Sequence, residues 1–249
     1  EVGYPVIVKP DNGVGANDTR KITNDIELSE FLLNKQPVQY IMEEYIDGEV
    51  NTYDAIVDGD GNPVSETGNV TPDSLMDVVN KNGESVFYIL NEPHADIVEA
   101  GRRVLKAFGV KNRFVHFEFF RLSKNQNAGE KGEILGLEVN MRPSGGISPD
   151  MMNYANSTDV YKIWADVLAY GNTELKCGEK FYCAFAGRRD GKEYALSEND
   201  IKQKYAAELK QTGRVPDVLS GAMGNLMYIA AFKTKKAMNE FYAEVLKTK

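Results

Sequence analysis

Histidine and cysteine are scarce in this 249-residue chain, which has two of each. Cys177 and Cys183 are too few and wrongly spaced for a metal knuckle or a redox pair, so a reducing, cytoplasmic home is expected rather than a disulfide framework. His94 and His116 leave no room for a polyhistidine metal site, and His94, just ahead of a helix, reads as a cap-region residue without chemistry. Long apolar runs are missing as well. The longest, at 226–232, is far short of a membrane span, and no basic-then-apolar leader opens the chain. Excess positive charge is also lacking: the net charge is -8 with the acidic residues dispersed, which argues against a nucleic-acid partner. The chain opens at Glu1 in the middle of apparent structure, so it is expected to be a piece of something longer. An apolar content of 42% is ample for a core in one large domain or two ordinary ones.

Two stretches depart from an ordinary strand core. Residues 113–122 read RFVHFEFFRL and residues 133–146 read EILGLEVNMRPSGG. Each is strand-like, and each carries one carboxylate, Glu118 or Glu138, among residues that would otherwise be core. Side chains leave an extended strand alternately to its two faces, so Glu138, Asn140 and Arg142, spaced by two, should share a face. That face offers two hard oxygen ligands, an amide oxygen and a fixed cation. A strand pair buried on both sides is nearly continuous apolar residues, and lone carboxylates there are expensive. One or two magnesium ions carrying a phosphate chain would meet the need, since that cation takes few carboxylates plus phosphate oxygens. Neither carboxylate is expected to serve in a structural ion pair, and without metal their burial and mutual repulsion should raise at least one pKa.

Residues 4–10, YPVIVKP, make a short β-branched strand that ends in Lys9 and breaks at Pro10. The polar run 11–19, DNGVGANDT, follows. Strand, lysine and glycine loop in that order suit a phosphate cradle of bare N–H groups and one ammonium. Glycines after a strand form a hairpin turn more often than a ligand loop, and the run is neither a Walker loop nor GxGxxG. Residues 23–34 have helical spacing, with Asn24 as cap, Glu27 completing a capping box, and Ile26, Phe31 and Leu33 toward the core. Strands are expected at 39–46 and 49–57, with Glu43, Glu44 and Glu49 crowding the turn between them, which also fits an exposed edge kept soluble by charge. Residues 69–85 should be loop with at most one short helix, and 86–90 a strand. Helices are expected at 95–108, with Ile97, Val98, Val104, Leu105 and Phe108 as the apolar stripe, and at 159–170, each stopped by a glycine. Beyond Gly171, strand-like 181–186 and 226–232 and helical 200–209 and 237–247 suggest a small α+β lobe.

Lys9 after YPVIVKP, the NGVG loop, MEEYIDGE, HFEFF and LEVNMRPSGG fall in the order and at the spacing of the ATP-grasp superfamily, which residues 1–171 resemble. The chain is similar to the biotin carboxylase and carbamoyl phosphate synthetase branch, and through NMRPSGG closer to the carboxylate–amine ligases. The resemblance implies an α+β fold of two antiparallel α+β subdomains with a nucleotide between them. A partial lid would span 1–45, a sheet subdomain with the metal and phosphate site 46–172, and a C-terminal lobe 173–249. The pre-ATP-grasp domain that precedes the lid in that family would be a missing N-terminal part of the same protein, without which the fragment is expected to be inactive.

The resemblance also implies ATP with Mg2+ or Mn2+ as cofactors. Lys9 would contact the phosphates, with Gly13, Gly15 and Ala16 folding over them. Glu43 would accept from the adenine amino group, backbone groups of Glu44 and Ile46 would clamp the ring edge, and Glu49 would take the ribose hydroxyls. Glu118, Glu138 and Asn140 would hold metal, with Arg142 and Asn140 at the transferring phosphate. The implied activity joins a small-molecule carboxylate to an amine through an acyl phosphate. Bicarbonate activation in the manner of biotin carboxylase or carbamoyl phosphate synthetase stays open, as does a catalytically silent nucleotide-binding module. Ser144, Gly145 and Gly146 would offer backbone donors near the acyl acceptor or form a plain strand-to-helix turn. Arg188 and Arg189 would bind a substrate carboxylate or lie solvated.

Overall fold

The computed structural model describes residues 3–12, 18–72 and 83–249. Its first sheet is antiparallel and three-stranded, with β1 (Val6–Pro10) between β2 (Arg20–Ile22) and β3 (Tyr40–Glu44), and helix α1 (Asp25–Asn34) packs on it. Asn24 caps that helix by accepting from the N–H groups of Ile26 and Glu27, while Glu27 accepts from the Thr23 N–H at 2.7 Å. Val6, Val8 and Ile22 bury against Phe31, with Leu28 and Tyr40 partly covered beside them. Alternation then sends Ile7, Lys9, Lys21 and Glu43 to the face away from α1. The expectation that Ile26 and Leu33 join this core is corrected: they are 74% and 84% exposed. With Leu28 and Phe31 turned to the sheet, a helix advancing about 100° per residue carries positions 26 and 33 to its far side.

The second sheet holds nine strands, all paired antiparallel. They are β4 (Gly48–Val57), β5 (Pro63–Thr67), β6 (Asn69–Thr71), β7 (Ser85–Ile89), β8 (Arg113–Leu122), β9 (Ile134–Asn140), β10 (Tyr182–Arg188), β11 (Leu209–Arg214) and β12 (Leu226–Phe232). The order is β11-β12-β10-β7-β6-β4-β8-β9, with β5 also paired to β4. The further helices among the described residues are α2 (Ala95–Phe108), α3 (Ser148–Asn156), α4 (Val160–Tyr170), α5 (Glu198–Lys204), α6 (Asp217–Met223) and α7 (Lys235–Val245). The residues after 172 have the expected α+β content, and their attachment is through the backbone. β10 pairs with β7 from Cys183↔Ile89 to Gly187↔Ser85, so one sheet runs across residue 172.

Helices cover both faces. On one, α3 and α4 bury Met151, Met152, Ile163 and Val167 against Ile56, Phe114, Ile89 and Phe185. On the other, α2 packs under Tyr53, Ala55 and Phe117, and α7 packs under Tyr88, Ala184 and Ala230. Gly101 of α2 lies against the Tyr53 ring, where an added Cβ would meet Cγ at 2.2 Å. Phe108, expected in the α2 stripe, is 61% exposed because it ends the helix, which Gly109 closes in the left-handed region at φ 61. The helix expected at 200–209 stops at Lys204, and the chain enters β11 at Leu209.

Neither reading of Arg188 and Arg189 holds, since both are buried and tie backbone together. Arg189 donates from Nε to Gly83 O at 2.8 Å, from Nη1 to Ser220 O at 2.5 Å and from Nη2 to Gly221 O at 2.7 Å. Arg188 donates to Val245 O at 2.8 Å and Leu196 O at 2.9 Å, and lies 4.3 Å from the Tyr194 ring centre.

Candidate active site

Three adjacent strands bring six polar side chains to one face, beyond the point where α3 and α4 cover it. Across β4 and β8, Thr52 stands opposite Glu118 and Asp54 opposite His116. Across β8 and β9, Glu118 stands opposite Glu138 and His116 opposite Asn140. The period of two that carries Ile56 and Phe114 into the core therefore carries the next residues along each strand into a polar patch on the same face. The expected grouping of Glu118, Glu138 and Asn140 is present. The expected burial of the pair on both sides is not: β9 is the edge strand, Glu138 is exposed, and Val139 is 40% exposed.

His116 organises the patch. Its Nδ1 lies 2.8 Å from Asp54 Oδ1 and its Nε2 lies 3.0 Å from Glu118 Oε1. Both ring nitrogens thus face carboxylate acceptors, and only the doubly protonated imidazolium can donate to both. Burial opposes that charge, yet the Asp54 carboxylate and both hydrogen bonds raise the pKa to about 10. The second Asp54 oxygen accepts from the Thr52 hydroxyl, and Asp54 is fully buried. The expectation that burial and repulsion raise a carboxylate pKa is corrected for Glu118. Burial pushes its carboxyl up, but the His116 hydrogen bond and charge, with the Arg142 guanidinium, hold it below the usual value. Glu118 is also an ion-pair member, contrary to expectation. Composition gave no sign of this, because His116 lies two residues from Glu118 in a run that otherwise looks like core.

The donor set suits a hard cation that takes its remaining ligands from phosphate. Glu118 spends one oxygen on His116 and lies within hydrogen-bond reach of the Glu138 carboxyl opposite it, and no ion pair joins Glu138 to Arg142. The Asn140 Nδ2 is buried without a partner, and exchanging the two ends of that amide would put an oxygen there. Among the described residues no group of three or more His, Cys, Asp or Glu is placed so that it could hold a metal ion, so a cation here would rest on two carboxylates and an amide. Arg142 lies beyond the end of β9, where alternation no longer fixes its direction, and donates to Pro143 O at 2.9 Å. Ser144 is buried with an unpartnered hydroxyl.

The other expected residues divide. Lys9 and Glu43 share the open face of the three-stranded sheet and pair at 2.6 Å. Glu44 stands opposite Val6 on the α1 side, and Ile46 lies in the link between β3 and β4. Glu49 leaves β4 on the face opposite to Thr52 and Asp54, and accepts from Asn51 Nδ2 at 3.1 Å, so it is not gathered with the Glu118–Glu138 group. Gly13, Gly15 and Ala16 lie outside the described residues, as does most of the glycine loop. No helix among the described residues is long and apolar enough to cross a membrane.

Comparison with known proteins supports the architecture. Residues 2–150 match the family model described as the ATP-grasp domain. The chain is similar in fold to an L-amino acid ligase from Bacillus licheniformis, with a TM-score of 0.70 and 16% identity over 98% of this chain and 62% of that one. An N5-carboxyaminoimidazole ribonucleotide synthetase from Thermotoga maritima gives a TM-score of 0.61 and 15% identity over 98% of this chain and 62% of that one. A biotin carboxylase domain of 2-oxoglutarate carboxylase from Hydrogenobacter thermophilus, solved with MgADP, ADP and bicarbonate, gives 0.63 and 14% over 100% of this chain and 58% of that one. The chain therefore spans about three-fifths of the length of these structures. No curated protein matches it in sequence. With the family model covering more than half of its residues, the chain belongs to the ATP-grasp family.

Proposed function

We propose that this chain is the nucleotide-handling part of an ATP-dependent ligase that joins a small-molecule carboxylate to an amine by way of an acyl phosphate, in three regions: a lid (1–45), a sheet subdomain (46–172) and a C-terminal lobe (173–249). The observation that carries the reading is the cross-strand pair Glu118–Glu138 with Asn140 beside it, two carboxylates and an amide converging on one face. A carboxylate is a poor acyl donor, and phosphorylating it supplies a leaving group that an amine can displace. Magnesium, when bound, would neutralise the charge of the phosphates and of the group in transfer. Glu118, Glu138 and Asn140 would hold it, and Arg142, whose charge already acts on Glu118, would face the transferring phosphate. On the open face of the first sheet, Lys9 would leave its Glu43 partner for the nucleotide phosphates and free Glu43 for the base.

The similar structures named above are an amino acid ligase, a synthetase and a carboxylase domain, and the ending Asn140-Met141-Arg142-Pro143-Ser144, which resembles that of the carboxylate–amine ligases, supports amine ligation over bicarbonate. The test is ATP-dependent phosphate release by the protein against a panel of amino acids, dipeptides and bicarbonate. Release that needs both an amino acid and an amine, and that Glu138→Gln abolishes, is expected. Stimulation by bicarbonate alone would move the reading to carboxylation, and nucleotide binding without any turnover would favour a silent module.

A further inference from the structure

The Glu118–Glu138 pair poses a physical problem that the neighbouring residues answer. Like charges directly opposite on adjacent antiparallel strands repel, and both side chains must nevertheless point at one place. Thr52, Asp54 and His116 have no expected role at a phosphate or a metal, yet they are more buried than the carboxylates themselves. They form one line across β4 and β8: the Thr52 hydroxyl donates to Asp54, Asp54 accepts from His116 at 2.8 Å, and His116 donates to Glu118 at 3.0 Å. Thr52 is held in turn by accepting from the Asn69 N–H at 3.0 Å.

We propose that Asp54 and His116 are positioning residues, which fix one oxygen of Glu118 so that its other oxygen meets Glu138 and Asn140 in ligand geometry before a cation arrives. The inference rests on the metal reading of the preceding section and extends it to residues that touch neither metal nor nucleotide. The carboxylate–histidine–carboxylate line works as outer support does in metal sites generally: the second group sets the orientation of the first. A fold brace alone is the competing account, because a buried ion pair between β4 and β8 would also join two strands. The two accounts differ in what magnesium should feel.

The informative variant is the double substitution Asp54→Asn with His116→Gln. It removes one negative and one positive charge, leaves the net charge of the patch unchanged, and strands neither member of the pair without its counter-charge. The single variant Asp54→Asn, which keeps a side chain of the same shape, serves if the double variant melts too low. ADP binding is measured by calorimetry with and without magnesium, alongside melting temperature. The expected result is a magnesium midpoint raised about 10-fold or more, with affinity for metal-free ADP unchanged. A lowered melting temperature with an unchanged magnesium midpoint would make the line a brace and overturn the inference. So would a lowered midpoint, which would mean that the imidazolium acts only by repelling the cation. If the unsubstituted protein binds ADP with no magnesium dependence, the metal reading itself fails, and the inference fails with it.

Discussion

Gly101→Ala should destabilise this protein, although the same change in an ordinary helix stabilises. Alanine gains about 1 kcal/mol over glycine in a helix interior. At position 101 the new Cβ would meet Tyr53 Cγ at 2.2 Å, Cδ1 at 2.4 Å and Cδ2 at 2.7 Å. The ring cannot swing aside: Tyr53 is fully buried, stacks on Phe117 with centroids 6.1 Å apart, and donates from its hydroxyl to Glu66 at 2.6 Å. Overpacking of this kind costs about 1–3 kcal/mol, and the overlap is with the stiff base of an aromatic ring, so the upper end applies. Setting the helix gain against it leaves a net loss of about 1–2 kcal/mol. In a chain of this size that is a fall of roughly 2–8 °C in melting temperature. Thermal unfolding of Gly101→Ala, with Gly101→Ala/Tyr53→Leu as the partner variant, is the assay. The double variant should recover stability relative to the sum of the two single changes. A Gly101→Ala protein that melts higher than the parent would refute the close packing of α2 on β4.

Three further outcomes follow from side chains away from the patch. Arg189→Met leaves the carbonyls of Gly83, Ser220 and Gly221 without their donor, at about 1–3 kcal/mol for each that stays buried, and hydrogen exchange should show Asp217–Met223 opening first. Burial pushes the Glu84 carboxyl up, but the Lys192 ammonium at 2.8 Å holds it below the usual value. A depressed folded-state pKa contributes stability that is present above the unfolded value and lost as pH falls through the folded one, so Lys192→Met should lower the melting temperature at neutral pH, with the difference from the parent closing as pH falls, which flattens the acid side of the melting profile. Cys183 is buried and its thiol is pushed up by desolvation, so an alkylating reagent should label Cys177 in the native protein and Cys183 only on unfolding.

What the sequence shows and hides follows from the range over which each signal acts. Asn24, Gly109 and Gly171 mark helix ends by local hydrogen bonding and backbone freedom, and α1, α2 and α4 begin or end at those residues. The period of two put Glu138 and Asn140 on one face, since alternation depends only on the strand itself. Which strand lies opposite which is long-range information. The pairing of Asp54 with His116 across 62 positions left no local trace: His116 sat in a run that read as core and Asp54 in an expected strand that gave it no role. Arg188 and Arg189 misled for a related reason: a doublet of arginines resembles a solvated face, and only the fold brings five backbone carbonyls within their reach. Short elements such as β6, β11 and α6 carry too few residues for a period to emerge.

The most direct test of the central claim is Glu138→Gln, read for melting temperature and for magnesium-dependent nucleotide binding on the same sample. Glu138 is exposed on the edge strand and directly opposite Glu118, so neutralising it removes a like-charge contact and no ion pair with Arg142. If the pair holds a cation, the metal-free variant should melt at or above the temperature of the parent. Its nucleotide affinity in magnesium should fall about 10-fold or more, with metal-free affinity unchanged. A variant that melts early while keeping a normal magnesium response would show that Glu138 serves the fold, and would contradict the account.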